Sequence, residues 1–276
     1  MLYFLYHLRT RPTGRVIARS LGFRKWGTKR IAPKQPVDLV LRWGASDDLN
    51  AGVEINPAAA IRAAANKWTT LSRLQRAGVS TVPFSRDYAD LRQCSYIYGR
   101  SSYGQGGRGI GVYESSGMGI MLGGQQHEFY TGGIDVNREY RLHIVGDEVV
   151  RVQGKYLDFP EQDASGGRVR NHANGYRFRT PRQRLRPQRE EAAVAAVKTL
   201  GLDFGAVDLI LDYEGNHYVL EVNTGPSCSP MTANAYAQPL ARLIAERTNG
   251  GYIPEVNASA FDALTEQDNV PLVGGV

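Results

Sequence analysis

The chain has 276 residues, a net charge of +6, and 42% apolar and 22% charged residues. That length buries a sizeable core in about one or two domains, and near-average usage excludes a disordered or collagen-like chain. No apolar run approaches the ~20 residues of a membrane span, and Cys94 and Cys228, far apart and without His or Cys at ligand spacing, indicate neither a disulfide framework nor a zinc site, which fits a reducing cytoplasm.

Met1 to Leu8 is apolar but has no leading basic region or small-residue cleavage site, and Arg9 and Arg11 follow it. It therefore reads as a first β-strand near Tyr3 to His7 and not as a signal peptide. A helix near Gly14 to Leu21 follows, then a strand at Val37 to Arg42, whose run Leu39, Val40, Leu41 indicates burial, closed by the tight turn Trp43-Gly44-Ala45-Ser46. Pro57 fits the first position of the next helix, where its missing donor would be unpaired anyway. Ile61, Ala64, Ala65, Trp68, Leu71 and Leu74 carry that helix to a C-cap at Gly78.

Ser95 to Arg100 reads as a strand entering Gly104-Gln105-Gly106-Gly107-Arg108-Gly109. A dinucleotide fingerprint needs a helix next, whereas Ile110 to Tyr113 continues as a strand. The arrangement is a flap whose backbone N–H groups can fold over a triphosphate, with glycine allowing the close approach. Asp203-Phe204-Gly205 is a kinase-like tripeptide without the Val-Ala-Ile-Lys and His-Arg-Asp partners, and the P-loop ending Gly-Lys-Ser/Thr is missing.

Further strands are expected at Glu139 to Val145, Glu148 to Gln153, Gly205 to Asp212 and His217 to Val222, the last two joined by the turn Glu214-Gly215-Asn216. Helices are expected near Gln188 to Leu200 and Asn234 to Arg247, and the tail beyond them packs loosely. Antiparallel pairing brings Asp208 and Glu221 together, with Asn223 on the face of Glu221. Two acids and an amide suit Mg²⁺, which takes carboxylates together with substrate phosphates. The alternative is that both acids are ion-paired with some of the many arginines; Glu-x-Asn followed by Gly, Pro and Ser favours the metal.

Arg100 with its glycine flap, His127-Glu128-Phe129-Tyr130, Glu139-Tyr140-Arg141, Gly154-Lys155, Arg170-Asn171-His172, Val207-Asp208 and Leu220-Glu221-Val222-Asn223-Thr224-Gly225-Pro226 resemble, in order, the ATP-grasp ligases, and among them the ribosomal-protein glutamate ligases and related amino-acid ligases. The likeness runs from roughly Asn56 to Arg247. It implies an α+β ATP-grasp fold, two subdomains clamping ATP: a short α/β N-terminal domain (1–56), a small subdomain with the flap (57–126), a C-terminal subdomain with the metal site (127–249) and a tail (250–276). It implies nucleotide contacts at Arg100, Gly104, Gln105, Gly106 and Gly107, a hinge for adenine at Glu128 and Phe129, and a ribose contact at Glu139. Arg141, Lys155, Arg170 and Asn171 would face the phosphates and acyl phosphate, and Asp208, Glu221 and Asn223 would hold Mg²⁺, or Mn²⁺ in its place. The chain departs from the family in His127 for a usual Gln, Arg100 for a usual Lys, the reordered Asn223-Thr224-Gly225-Pro226 ending, and a shorter N-terminal segment.

The implied activity is an ATP-dependent carboxylate–amine ligase acting through an acyl phosphate on small-molecule or peptide substrates, in the cytoplasm. The loop Ser165 to Gly175 is the candidate acceptor wall. Two alternatives stand beside it: a kinase of the same fold that stops at the phosphorylated product, and a basic nucleic-acid-associated module with a vestigial ATP site. The Arg-rich stretches, Arg9 to Arg30 and Arg168 to Arg189, suit anionic ligands, but no nucleic-acid-binding motif accompanies them.

Overall fold

The computed structural model describes residues 1–28, 35–104, 110–114 and 127–264. The N-terminal part is a parallel sheet in the order β2-β1-β3-β4, formed by β1 (Leu2–Tyr6), β2 (Trp26–Gly27), β3 (Val37–Trp43) and β4 (Ala51–Ile55). Helix α1 (Arg11–Ser20) starts earlier than expected, with Pro12 in its first turn. Its Val16, Ile17 and Ala18 join Phe4, Leu39, Leu41 and Trp43 in one core with Tyr236, Leu240 and Ile244 of α5 (Pro230–Arg247). The tail is not loose as far as it is described: Phe261 and Leu264 are buried in that core.

The single helix expected from Pro57 to Gly78 is two helices, α2 (Ala58–Ala65) and α3 (Lys67–Arg76). Pro57 is the N-cap residue of α2, with an extended ψ of 142°, and not its first helical residue. Asn66 breaks the run because its side chain offers the backbone a competing acceptor: it sits at φ −91°, ψ 109° and takes the Thr69 N–H at 2.9 Å. Gly78 ends α3 at φ +75°, with its own N–H on the Gln75 carbonyl and that of Val79 on Leu74, the closure that a left-handed residue permits.

A small antiparallel sheet, order β5-β8-β6-β7, holds β5 (Phe84–Ser85), β6 (Tyr96–Arg100), β7 (Gly111–Glu114) and β8 (Phe129–Gly132). β8, expected to open the C-terminal subdomain, pairs with β6 in this sheet instead. The third sheet, β11-β10-β9-β12-β13, is antiparallel and built from β9 (Arg138–Val145), β10 (Glu148–Leu157), β11 (Tyr176–Arg179), β12 (Phe204–Leu211) and β13 (His217–Asn223). Alternation sends Tyr140, Leu142, Ile144, Val207, Leu209 and Val219 to one face. There they meet Ala193, Ala196 and Val197 of α4 (Pro187–Thr199) and Ile61 and Ala64 of α2. The opposite face carries the charged residues.

Asn56, fully buried at φ +55°, ties the N-terminal part to this sheet. Its N–H donates to Asp203 Oδ2 (2.7 Å), its Nδ2 donates to the Phe204 carbonyl (3.0 Å), and its Oδ1 accepts from Asp203 N (2.8 Å) and Phe204 N (3.1 Å). A second tie joins the turn after β3 to the segment after β13: Gly44 N–H donates to the Thr224 carbonyl at 3.1 Å and Trp43 Nε1 to that of Pro226 at 3.2 Å. Gly225 has to lack a side chain here, because a Cβ would lie 2.6 Å from Gly44 N.

Candidate active site

The register of three strands sets the centre of the site. Asp208 stands opposite Arg141 on one side and Glu221 on the other, and Arg141 stands opposite Gln153. One row therefore reads Gln153, Arg141, Asp208, Glu221 across the sheet, and the next holds Phe178, Lys155, Glu139 and Ile210. Cross-strand neighbours share a face, so these side chains converge.

Arg141 grips Asp208 with two bonds, Nε to Oδ1 at 2.6 Å and Nη2 to Oδ2 at 2.7 Å. Burial is the largest single influence and opposes the guanidinium charge, but Asp208, Glu221 and Glu139 together outweigh it and hold the Arg141 pKa above its usual value. Lys67 Nζ bonds Glu221 Oε2 at 2.5 Å, and Asn223 Nδ2 donates to Oε1 at 3.2 Å. Lys67, then Arg141 and Asn223, keep the Glu221 carboxyl well below the usual carboxylate range against the cost of burial. Lys155 is ion-paired with Glu139 and also donates to the Arg170 carbonyl at 3.1 Å.

In this structure the immediate partners of Asp208 and Glu221 are Arg141 and Lys67, one an arginine and the other a lysine. Among the described residues no three His, Cys, Asp or Glu side chains gather to hold a metal by themselves. The donor set nonetheless fits a divalent ion that brings phosphate oxygens with it, because two carboxylates and an amide lie side by side and are all oxygen donors.

The other expected residues divide. Arg100 lies at the end of β6, its Nε donating to Thr131 Oγ1 at 3.0 Å; burial lowers its pKa and the charge of Glu221 offsets part of that. Glu128 accepts the Ser102 N–H at 3.1 Å, and Lys67 N–H donates to the Ser102 carbonyl at 2.8 Å, so the segment that follows β6 is tied both to the residue before β8 and to α3. Gly104 closes a turn on the Ser101 carbonyl; Gln105, Gly106 and Gly107 lie outside the described residues. The Phe129 ring is fully buried with Trp68, Leu71, Val82 and Ile210, because β8 belongs to the small sheet. Arg170 donates to the Val136 carbonyl at 2.7 Å and Gly167 at 3.2 Å, and Asn171 Oδ1 accepts the Asn174 N–H at 2.9 Å; both shape the 165–175 loop. Tyr98 OH donates to the Arg168 carbonyl at 2.7 Å, joining that loop to β6. His127 packs over Gly99 and pairs with Tyr113 OH at 2.7 Å.

Two residues were missed. Lys67 has no motif around it and enters only because the helix restarts at Asn66. Phe178 lies on the unexpected edge strand β11, with the Arg141 guanidinium 4.4 Å and the Lys155 ammonium 5.1 Å from its ring centre.

His143, in the row beyond, is completely buried between Tyr236 OH (3.0 Å) and Gln153 Oε1 (2.8 Å), and burial pushes its pKa down to about 3. A group depressed from 6.5 binds fewer protons folded than unfolded, so its contribution is full above pH 6.5 and is lost as pH falls toward 3. The urea midpoint is expected to drop from pH 7.5 to pH 4.5, and less steeply in His143→Asn.

No protein-family model matches the sequence, and no curated protein does. Solved structures do match. D-cycloserine synthetase DcsG superposes with a TM-score of 0.61 at 18% identity, over 88% of this chain and 100% of that one. The chain has the ATP-grasp fold. D-alanine–D-alanine ligase from Bacillus anthracis, also solved with ATP, gives a TM-score of 0.61 at 15% identity, over 90% of this chain and 97% of that one. For VanG D-Ala:D-Ser ligase from Enterococcus faecalis the values are 0.64, 14%, 88% and 98%. The charged row thus lies on the face of an ATP-grasp sheet opposite the one packed by α2 and α4. Among the described residues no helix is long and apolar enough to cross a membrane.

Proposed function

We propose that the chain is an ATP-dependent ligase that activates a carboxylate as an acyl phosphate and joins it to an amine, on small-molecule or peptide substrates. The observation that carries this reading is the cross-strand row Arg141, Asp208, Glu221, flanked by Lys67, Arg100 and Lys155 on one face of the sheet. Cations outnumber carboxylates there, as a polyphosphate requires. Apolar side chains at the junction of the sheets, Ile134, Val136, Ile210 and Leu220, suit the base, and Glu139 the ribose. The ATP-grasp ligases among the matching structures support the same class, and the motif order supports a specific likeness to the ribosomal-protein glutamate ligases.

Asp208, Glu221 and Asn223 would hold Mg²⁺ or Mn²⁺, which would neutralise phosphate charge as the substrate carboxylate attacks. Lys67, Arg100, Arg141 and Lys155 orient and neutralise the phosphates, and the glycine hairpin excludes water from a hydrolysable acyl phosphate. No protein nucleophile is needed; positioning suffices. Arg170 and Asn171 serve through the loop that they shape. The need for ATP, with Cys94 and Cys228 not joined in a disulfide, fits a cytoplasmic enzyme.

The test offers amino acids and peptides in pairs with Mg-ATP and reads phosphate release and product mass. A ligase yields the two substrates less one water; a kinase adds a phosphate to one. Phosphate release with neither product would refute the reading. Within it, Phe178→Leu is expected to lower kcat about 3–30-fold, the scale of a cation–π contact, with Phe178→Tyr near wild type.

A further inference from the structure

All four carboxylate oxygens of the donor pair are already engaged. Both oxygens of Asp208 take bonds from Arg141, and the two of Glu221 take Lys67 and Asn223. The two cations are themselves largely enclosed, with side-chain exposures of 18% for Arg141 and 19% for Lys67. A divalent ion arriving alone would have to strip both, leaving two poorly hydrated positive charges without counter-charge beside a third, which is strongly unfavourable. A polyphosphate removes that obstacle, since it gives each cation a new anion at the moment it leaves the carboxylate. Lys67 is placed for such a transfer: it lies in the first turn of α3, and its backbone holds the Ser102 carbonyl in the segment that follows β6.

We propose that Lys67 and Arg141 keep Glu221 and Asp208 closed to a free divalent ion until a polyphosphate draws the two cations away, so that the site takes its metal only together with the nucleotide. Lys67 is then a selectivity residue as well as a phosphate-binding one. The proposal rests on the nucleotide reading above and extends it to the order in which the ligands are accepted. It also accounts for the lack, among the described residues, of a three-member ligand cluster: a site that is never filled by metal alone needs only the two carboxylates, with phosphate oxygens completing the shell.

The test is Mn²⁺ binding in the absence of nucleotide, followed by the loss of the free-ion paramagnetic resonance signal, in the wild type, Lys67→Met and Lys67→Arg. Circular dichroism checks that each is folded. The wild type and Lys67→Arg are expected to leave the signal unchanged up to millimolar Mn²⁺, and Lys67→Met to bind it at least about tenfold more tightly. Equal uptake by wild type and Lys67→Met, or none by Lys67→Met, overturns the proposal. A parallel titration of the wild type with Mg²⁺ and a non-hydrolysable ATP analogue separates the two levels: nucleotide binding with free-metal uptake in the wild type sinks only the selectivity, whereas no nucleotide binding sinks the functional reading and the selectivity with it.

Discussion

Asp208→Asn is expected to reduce ATP turnover by about 10²–10³-fold, the scale seen when one pre-set electrostatic group is removed from a catalytic site. The substitution keeps the shape of the side chain but removes the charge that holds Arg141 in its two-bond geometry. It also takes one anionic oxygen donor from the proposed metal shell. Part of the effect appears in stability, because a mostly buried guanidinium is left without its partner, at a cost of about 3 kcal/mol. Turnover and urea unfolding measured on the same preparation separate the two. Asp147→Asn is the control: its pair with Lys198 is a surface one, with 76% and 56% of the two side chains exposed, and both measurements should stay at wild-type values.

Asn56→Ala is expected to destabilise the fold by about 3 kcal/mol or more, read as a lower urea midpoint with an unchanged slope. The alanine loses the three side-chain bonds to Asp203 and Phe204, leaves those backbone groups unsatisfied in a fully buried setting, and must hold φ +55°, which a Cβ disfavours. Asn56→Gly removes the same bonds but not the backbone freedom, so it should recover about 1 kcal/mol of the loss. Since Asn56 joins the end of β4 to the start of β12, the cost should be borne by the union of the two sheets; a wild-type midpoint in Asn56→Ala would mean that they do not depend on this clamp.

The hairpin that carries Asp208 and Glu221 was legible because its turn, Glu214-Gly215-Asn216, and its apolar alternation fix the register locally, and the structure pairs the two acids directly. The flap strands β6 and β7 were legible for the same reason. What the acids touch was not. Arg141 comes from β9 and Lys67 from a helix 154 residues before Glu221, and spacing alone does not choose among long cationic side chains. β11 stayed hidden because its two aromatic residues alternate with arginines that read as a solvated run, and only pairing with β10 shows Phe178 facing the site. The sheet that claims β8 was not legible, since the short run Phe129–Gly132 does not name its partner strand, and the helix break at Asn66 was masked by an apolar period that continues through it.

The claim on which the account turns is that the charged row and the glycine hairpin address one triphosphate. A structure of the protein with Mg²⁺ and a non-hydrolysable ATP analogue tests it directly. The account predicts phosphates in contact with Lys67, Arg100, Arg141 and Lys155, and a metal on Asp208, Glu221 and Asn223. A nucleotide bound elsewhere, with the Arg141–Asp208 and Lys67–Glu221 pairs unchanged, would contradict it.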